Sequence, residues 1–170
     1  MKSLALISAM LLMTVASFGR EHVSETATIV ADTIYYAADQ TSVTNASQAA
    51  YYRLLLTQGK GVAKRDLFTD YYMDGTLKAE GGYSFIDLGN DNNTVLDGNV
   101  TTYYVNGKEK LNGKYVNGKR EGYFTLNLRD GGIAVIMYKN GKSKFDYFMV
   151  THPDGTQEKL PLSNISSLLQ

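Results

Sequence analysis

Tyr71-Tyr72-Met73-Asp74-Gly75-Thr76-Leu77-Lys78-Ala79-Glu80-Gly81-Gly82-Tyr83 and Tyr103-Tyr104-Val105-Asn106-Gly107-Lys108-Glu109-Lys110-Leu111-Asn112-Gly113-Lys114-Tyr115 are two copies of one pattern, set 32 residues apart. They share Tyr, Tyr, Gly, Lys, Gly and Tyr at matching positions and exchange Asp74 for Asn106. A pattern that recurs in this way marks supersecondary units stacked in series, each too small to bury its apolar face alone. Such a chain is expected to present surfaces, not one catalytic crevice.

The units read as β-hairpins. Asp-Gly or Asn-Gly recurs at Asp74, Asp97, Asn106, Asn117, Asp130, Asn140 and Asp154. Each pair tolerates positive φ at both centres of a two-residue type I′ turn. From Asp97 onward the spacings are 9, 11, 13, 10 and 14 residues, which fits short strands joined by tight turns. The stretch from Leu67 to Thr151 therefore reads as an antiparallel meander. The fold class expected is mainly β: an open or curled sheet of hairpins with little helix.

Register follows if each pair is a two-residue loop, because directly opposed residues share a face. Val105 then opposes Lys108, Tyr104 opposes Glu109, Tyr115 opposes Arg120 and Leu111 opposes Phe124. One face collects Val100, Tyr104, Leu111, Tyr115, Phe124, Leu126 and Leu128, and this is the expected core. Tyr103, Lys108, Lys110, Lys114, Lys119, Glu121, Tyr123, Asn127 and Arg129 fall on the other, wet and mildly basic. Past Asp130-Gly131 the same rule puts Ile133, Val135 and Met137 in the core. Beyond Asn140-Gly141 it fails, placing Lys144 and Asp146 inside. Either a one-residue bulge or cover on both faces resolves this.

Upstream, Thr28 to Ala37 reads as a strand, and Ala49 to Leu56 as a strand or a helical turn leading into one. Gln58 to Gly61 is an expected turn and Ser84 to Asn99 a polar insertion between the copies. The tail from Leu162 reads as a short helix with Ser163 or Asn164 as cap. At the start, Lys2, the apolar run Leu4 to Val15 and Ser17-Phe18-Gly19 have the layout of a secretory signal peptide. The expected organisation is a leader over 1–19, an N-terminal segment over 20–60, the repeat region over 61–152 and a tail over 153–170. Export to the periplasm or medium follows from the leader.

Composition narrows the chemistry. The chain has no cysteine, so neither a disulfide framework nor thiol catalysis is open to it. Its formal charge is zero and no basic tract occurs, so nucleic acid is not an expected partner. Two histidines, His22 and His152, make a zinc site improbable and leave His152 as the lone candidate base, on a His-Pro-Asp-Gly turn. The acidic and amide residues from Asp87 to Asp97 lack the regular spacing of a calcium loop and read as a polar connection. Asp66 and Asp70 are expected on a wet strand face. No catalytic residue, metal or cofactor is expected. Thirteen tyrosines stand out, and tyrosine suits a half-buried sheet. The candidate binding residues are Tyr71, Tyr103 and Tyr123 with Lys110, Lys114 and Arg129, a Tyr/Lys surface of a kind that meets a protein or glycan. Cross-strand tyrosines shielding lysine stems account for the same residues without a ligand.

From Tyr103 to Gly122 the run Tyr-Tyr-x-Asn-Gly-Lys, Gly-x-Tyr-x-Asn-Gly-Lys-x-x-Gly resembles the MORN-repeat variant of bacterial YwqK-type antitoxin proteins. The copy at Tyr71 to Tyr83 matches it, and Tyr138-Lys139-Asn140-Gly141-Lys142 is similar to a third start. Ala49 to Leu55 is similar to what precedes these repeats in exported envelope proteins. The resemblance covers roughly Tyr35 to Phe148. It implies hairpins in an open or curled sheet, a binding or scaffolding role without catalysis, and a protein partner. An antitoxin or immunity-type protein is the alternative it implies, with a hydrolase a remote third. Membrane association is not expected after leader cleavage, since no polybasic patch is present. Open sheet ends leave edge-to-edge pairing of two copies as a route to a dimer.

Overall fold

The computed structural model describes residues 28–29 and 33–165. The expected leader, His22 and the end of the tail lie outside the described residues. Among those described, the strands form a single antiparallel sheet. They are β1 (Thr28–Ile29), β2 (Ile34–Tyr36), β3 (Ser42–Val43), β4 (Tyr51–Gln58), β5 (Arg65–Tyr72), β6 (Leu77–Phe85), β7 (Val95–Tyr103), β8 (Glu109–Val116), β9 (Lys119–Asn127), β10 (Ile133–Lys139), β11 (Lys142–Ser143), β12 (Tyr147–Thr151) and β13 (Gln157–Pro161). Spatial order follows chain order from β4 to β10, with β12 and β13 beyond and β2 and β3 at the other end. The sheet does not close. The segments expected ahead of and behind the repeats are strands of this same sheet. Among the described residues the helical elements are short 3-10 turns, among them Ala46–Gln48, Asp91–Asn93 and Leu162–Asn164.

The Asp-Gly and Asn-Gly pairs divide into two turn types, one at each end of the sheet. Asn117-Gly118 and Asn140-Gly141 have positive φ at both residues (48° and 76°; 52° and 82°), as two-residue type I′ loops require. At the opposite end the loops have three residues. The N–H groups of Tyr72, Tyr104, Leu128 and His152 donate to the carbonyls of Thr76, Lys108, Gly132 and Thr156, each at 2.8 Å. Only the glycine has positive φ there (79° to 93°), the form of a type I turn ending in a bulge. Asp74, Asn106, Asp130 and Asp154 each accept a backbone N–H from two residues on. Asp97-Gly98 is no turn at all: it lies inside β7.

This division corrects the register. Tyr103, not Tyr104, opposes Glu109, and a bulge between Thr102 and Tyr103 then pairs Thr102 with Leu111. Tyr115 does oppose Arg120, but an irregularity past Lys114 sets Leu126 rather than Phe124 against Leu111. After Asp130 the extra loop residue slips the pairing by one, and a slip of one exchanges faces. Ala134 and Ile136 are therefore buried, while Ile133 is 40% exposed and Val135 and Met137 are half-buried. A second irregularity spans Lys144 to Asp146, between β11 and β12, and brings Phe148 and Val150 inward. The bulge expected there exists, but it is three residues long.

The buried face carries one row across seven strands: Leu55, Phe68, Gly81, Val100, Gly113, Phe124 and Ile136. The repeat glycines are the low points of that row. A Cβ on Gly113 would lie 2.4 Å from the Phe124 ring, and one on Gly81 would lie 2.7 Å from Val100 Cγ2. Large residues fill the hollows that glycine leaves, as close packing demands. Ile86 covers the row at one end of the sheet, and Leu162 and Ile165 cover a second cluster around Leu126 and Phe148.

Three-residue loops bring the repeat into view. Tyr72, Tyr104, Leu128 and His152 are equivalent, spaced 32, 24 and 24 residues apart. The first interval is eight residues longer than the others, and the excess lies in the connection between Phe85 and Val95.

Candidate functional site

The second tyrosine of each repeat ties one hairpin to the next. Tyr72 donates its hydroxyl to the Tyr103 carbonyl at 3.3 Å, and Tyr104 donates to the Asn127 carbonyl at 2.7 Å. Tyr103 and Asn127 are equivalent residues, each just ahead of its loop. Tyr104 was expected in the core, but it is half-buried, because the loop begins at Tyr104 and takes it to the sheet's end. Its ring meets two cations there: Lys110 Nζ and Arg129 Cζ both lie 5.4 Å from the ring centroid. This spacing is within cation–π range.

Around this ring opens a cleft of about 790 Å³, between the β7–β8 and β9–β10 loops. Lys108, Lys110 and Arg129 line it against a single carboxylate, Glu109. Val105, 62% exposed, and Ile133 stand at its border. Three of the six candidate residues, Tyr103, Lys110 and Arg129, are thus brought to one place. Tyr103 also donates its hydroxyl to Glu80 Oε1 at 2.6 Å, and burial together with that carboxylate pushes its pKa up. The other three lie apart. Tyr71 is half-buried and stacks on Tyr52 at 5.3 Å, in a row that continues to Tyr35. Tyr123 is 67% exposed and faces Met137, and Lys114 opposes Glu121.

The eight extra residues build a second feature. Their loop crosses β5 and β4, and Asp91 reaches Arg53, which is 2% exposed. Arg53 donates to Asp70 in a fork (Nε to Oδ1 2.7 Å, Nη2 to Oδ2 2.8 Å) and to both oxygens of Asp91. Tyr51 donates to Asp91 Oδ2 at 2.6 Å, Thr94 donates to Asp91 Oδ1 at 2.8 Å, and Lys78 Nζ lies 3.8 Å over the Tyr51 ring. Burial works against the Asp91 carboxylate, but Arg53, Tyr51 and Thr94 together hold its pKa below the usual range. Burial lowers the Lys78 pKa and raises that of Asp70. Asp70 is therefore not on a wet face, as the sequence reading had it; it is 1% exposed, on the core side with Phe68. Among the described residues no fully buried side-chain nitrogen or oxygen lacks a partner, and the cluster's work is to fasten the loop to the sheet.

His152 lies at a loop base, its ring Nε2 3.0 Å from Glu158 Oε1. Among the described residues no group of three or more metal-ligating side chains converges. Arg53, Asp91 and Tyr104 are the residues that sequence reasoning missed. The 24-residue spacing of the loops was the available signal for Tyr104, since it places Arg129 and Asn127 opposite known repeat positions. Comparison with protein-family models, curated proteins and solved structures returns no match for this chain.

Proposed function

We propose that the protein is a non-catalytic interaction or scaffolding module of the bacterial cell envelope, built from MORN-like hairpins, that takes a protein partner at the loop-end cleft. The observation that carries this is the convergence of Tyr103, Lys110 and Arg129 with the Tyr104 ring at one open surface. Aromatic rings and arginine are the residue types that most often dominate binding energy at protein interfaces. The signal-peptide layout of the first nineteen residues supports the envelope location. An immunity-type role, in which the partner is one exported toxin, is a special case of the same reading.

The test is capture from an envelope fraction on the immobilised protein and on the double variant Lys108→Glu/Arg129→Glu. Both positions are exposed, so melting temperature should be unchanged. The wild type should retain a partner in stoichiometric amount that the variant releases. Identical sets of bound proteins on both would sink the cleft as the interface.

A further inference from the structure

The cleft lies where the third hairpin unit departs from the repeat. Aligned at their loops, the first two units read Tyr71-Tyr72-Met73-Asp74-Gly75-Thr76 and Tyr103-Tyr104-Val105-Asn106-Gly107-Lys108. The third reads Asn127-Leu128-Arg129-Asp130-Gly131-Gly132. Its loop geometry is unchanged, with the same pair of backbone hydrogen bonds and the same aspartate contact. What changed is the side chains that face the neighbouring unit. Asn127, which lines the cleft, stands where both earlier units have tyrosine, so this position brings no ring to the lining. Arg129 stands where they have Met73 and Val105, so an apolar loop residue has become a cation. Gly132, packed against the Thr151 carbonyl, adds no side chain.

Two of these departures act in the same direction. They empty the junction and make it positive, while the backbone role of the position is kept: the Asn127 carbonyl still receives the Tyr104 hydroxyl. Three cations against one carboxylate line the space. Among the described residues Arg129 joins no salt bridge. The cations come from two successive hairpins with an aromatic ring between them, a spread that matches a row of carboxylates better than a single small anion. Val105 and Ile133 on the border offer contacts to apolar side chains.

We infer that the cleft between the second and third hairpin units binds an acidic peptide segment of the partner, with carboxylates on Arg129, Lys108 and Lys110 and an apolar side chain on Val105 or Ile133. This rests on the interaction reading above and gives that partner its chemistry.

Fluorescence anisotropy with a labelled peptide of alternating glutamates and leucines tests it, with a glutamine-for-glutamate analogue and inorganic phosphate as controls. The acidic peptide should bind in a salt-sensitive manner, the analogue should not, and phosphate should fail to displace it. Two variants restore the repeat: Arg129→Val removes the cation and Asn127→Tyr fills the junction. Each should weaken binding by ~10-fold or more at low salt, with melting temperature held. Unchanged binding by both variants, equal binding of the analogue, or displacement by phosphate overturns the proposal. A partner captured from the envelope that the acidic peptide does not displace overturns this inference and leaves the interaction reading standing. If the peptide binds but no partner is captured, it is the interaction reading that fails.

Discussion

At the scale of single residues, Arg53 is the costliest side chain to place and the one with most to lose. A buried guanidinium is tolerated only when its hydrogen bonds are met by charge, and here two carboxylates, from β5 and from the inserted loop, share it. Its flat faces are used as well, with Cζ 4.5 Å from the Phe68 centroid and 5.4 Å from that of Tyr36. Arg53→Met keeps most of the stem and removes the charge together with its N–H donors. That leaves Asp70 and Asp91 facing one another with only the more distant Lys78 to offset them, and breaking a buried pair in this way costs about 3–5 kcal/mol in comparable cases. Urea denaturation should show the loss. In the Asp70→Asn/Arg53→Met double variant the penalty should shrink, since one of the stranded charges is gone. A single variant as stable as wild type would mean that the loop is held by packing, with the ion pairs contributing nothing.

At the scale of elements, the turns decide what the sequence could and could not show. Asp-Gly and Asn-Gly gave the hairpins and their order, because both turn types need glycine at positive φ. They could not give loop length, since the same dipeptide closes a two-residue loop at Asn117 and a three-residue loop at Asn106. One unread residue at Arg129-Asp130-Gly131 was enough to exchange Ile133 for Ala134 in the core. The cleft was half legible for the same reason: its cations were read as surface, but Tyr104 was assigned inward by a register one residue out. Asp70 and Asp91 were not legible, because their burial depends on a loop crossing two strands. The three-residue loops also carry a pH signature. The Thr76 N–H and side chain hold the Asp74 carboxyl below its ordinary range, and Thr156 does the same for Asp154. A carboxylate with depressed folded pKa stabilises fully above its unfolded value, about 3.9, and loses that contribution as pH falls through the folded value. Asn106 fills the same role without a titrating group. Asp74→Asn/Asp154→Asn should therefore match wild type at pH 5 and lose less stability on acidification below pH 3.9. Parallel urea midpoints for the two proteins across that range would show that these contacts do not couple to folding.

At the scale of the whole molecule, an open meander must deal with two edges. The first is occupied by the inserted loop: the Ser42 N–H donates to the Gly89 carbonyl and the Asp91 N–H to the Gln40 carbonyl, each at 2.9 Å, with a bridge between Thr41 and Asn90. The eight extra residues thus serve the sheet twice, covering its first edge and supplying the buried aspartate. Among the described residues the last edge, β13, has no such cover. Its defence is composition, since it is short and carries Glu158, Lys159 and a terminal Pro161. Two copies pairing antiparallel here about a two-fold axis normal to the sheet must oppose residues of equal parity. A pairing centred on Lys159 or on Glu158 sets that residue against its own copy, and like charges directly opposed are unfavourable. Removing them should release the pairing that the open edge invites. Glu158→Thr/Lys159→Thr, which exchanges charge for β-favouring residues, should self-associate in a concentration-dependent way by light scattering, while the wild type stays monomeric. A monomeric double variant would place the protection elsewhere on β13, in Pro161 or in its short length, and Pro161→Val in the same background would then separate those two.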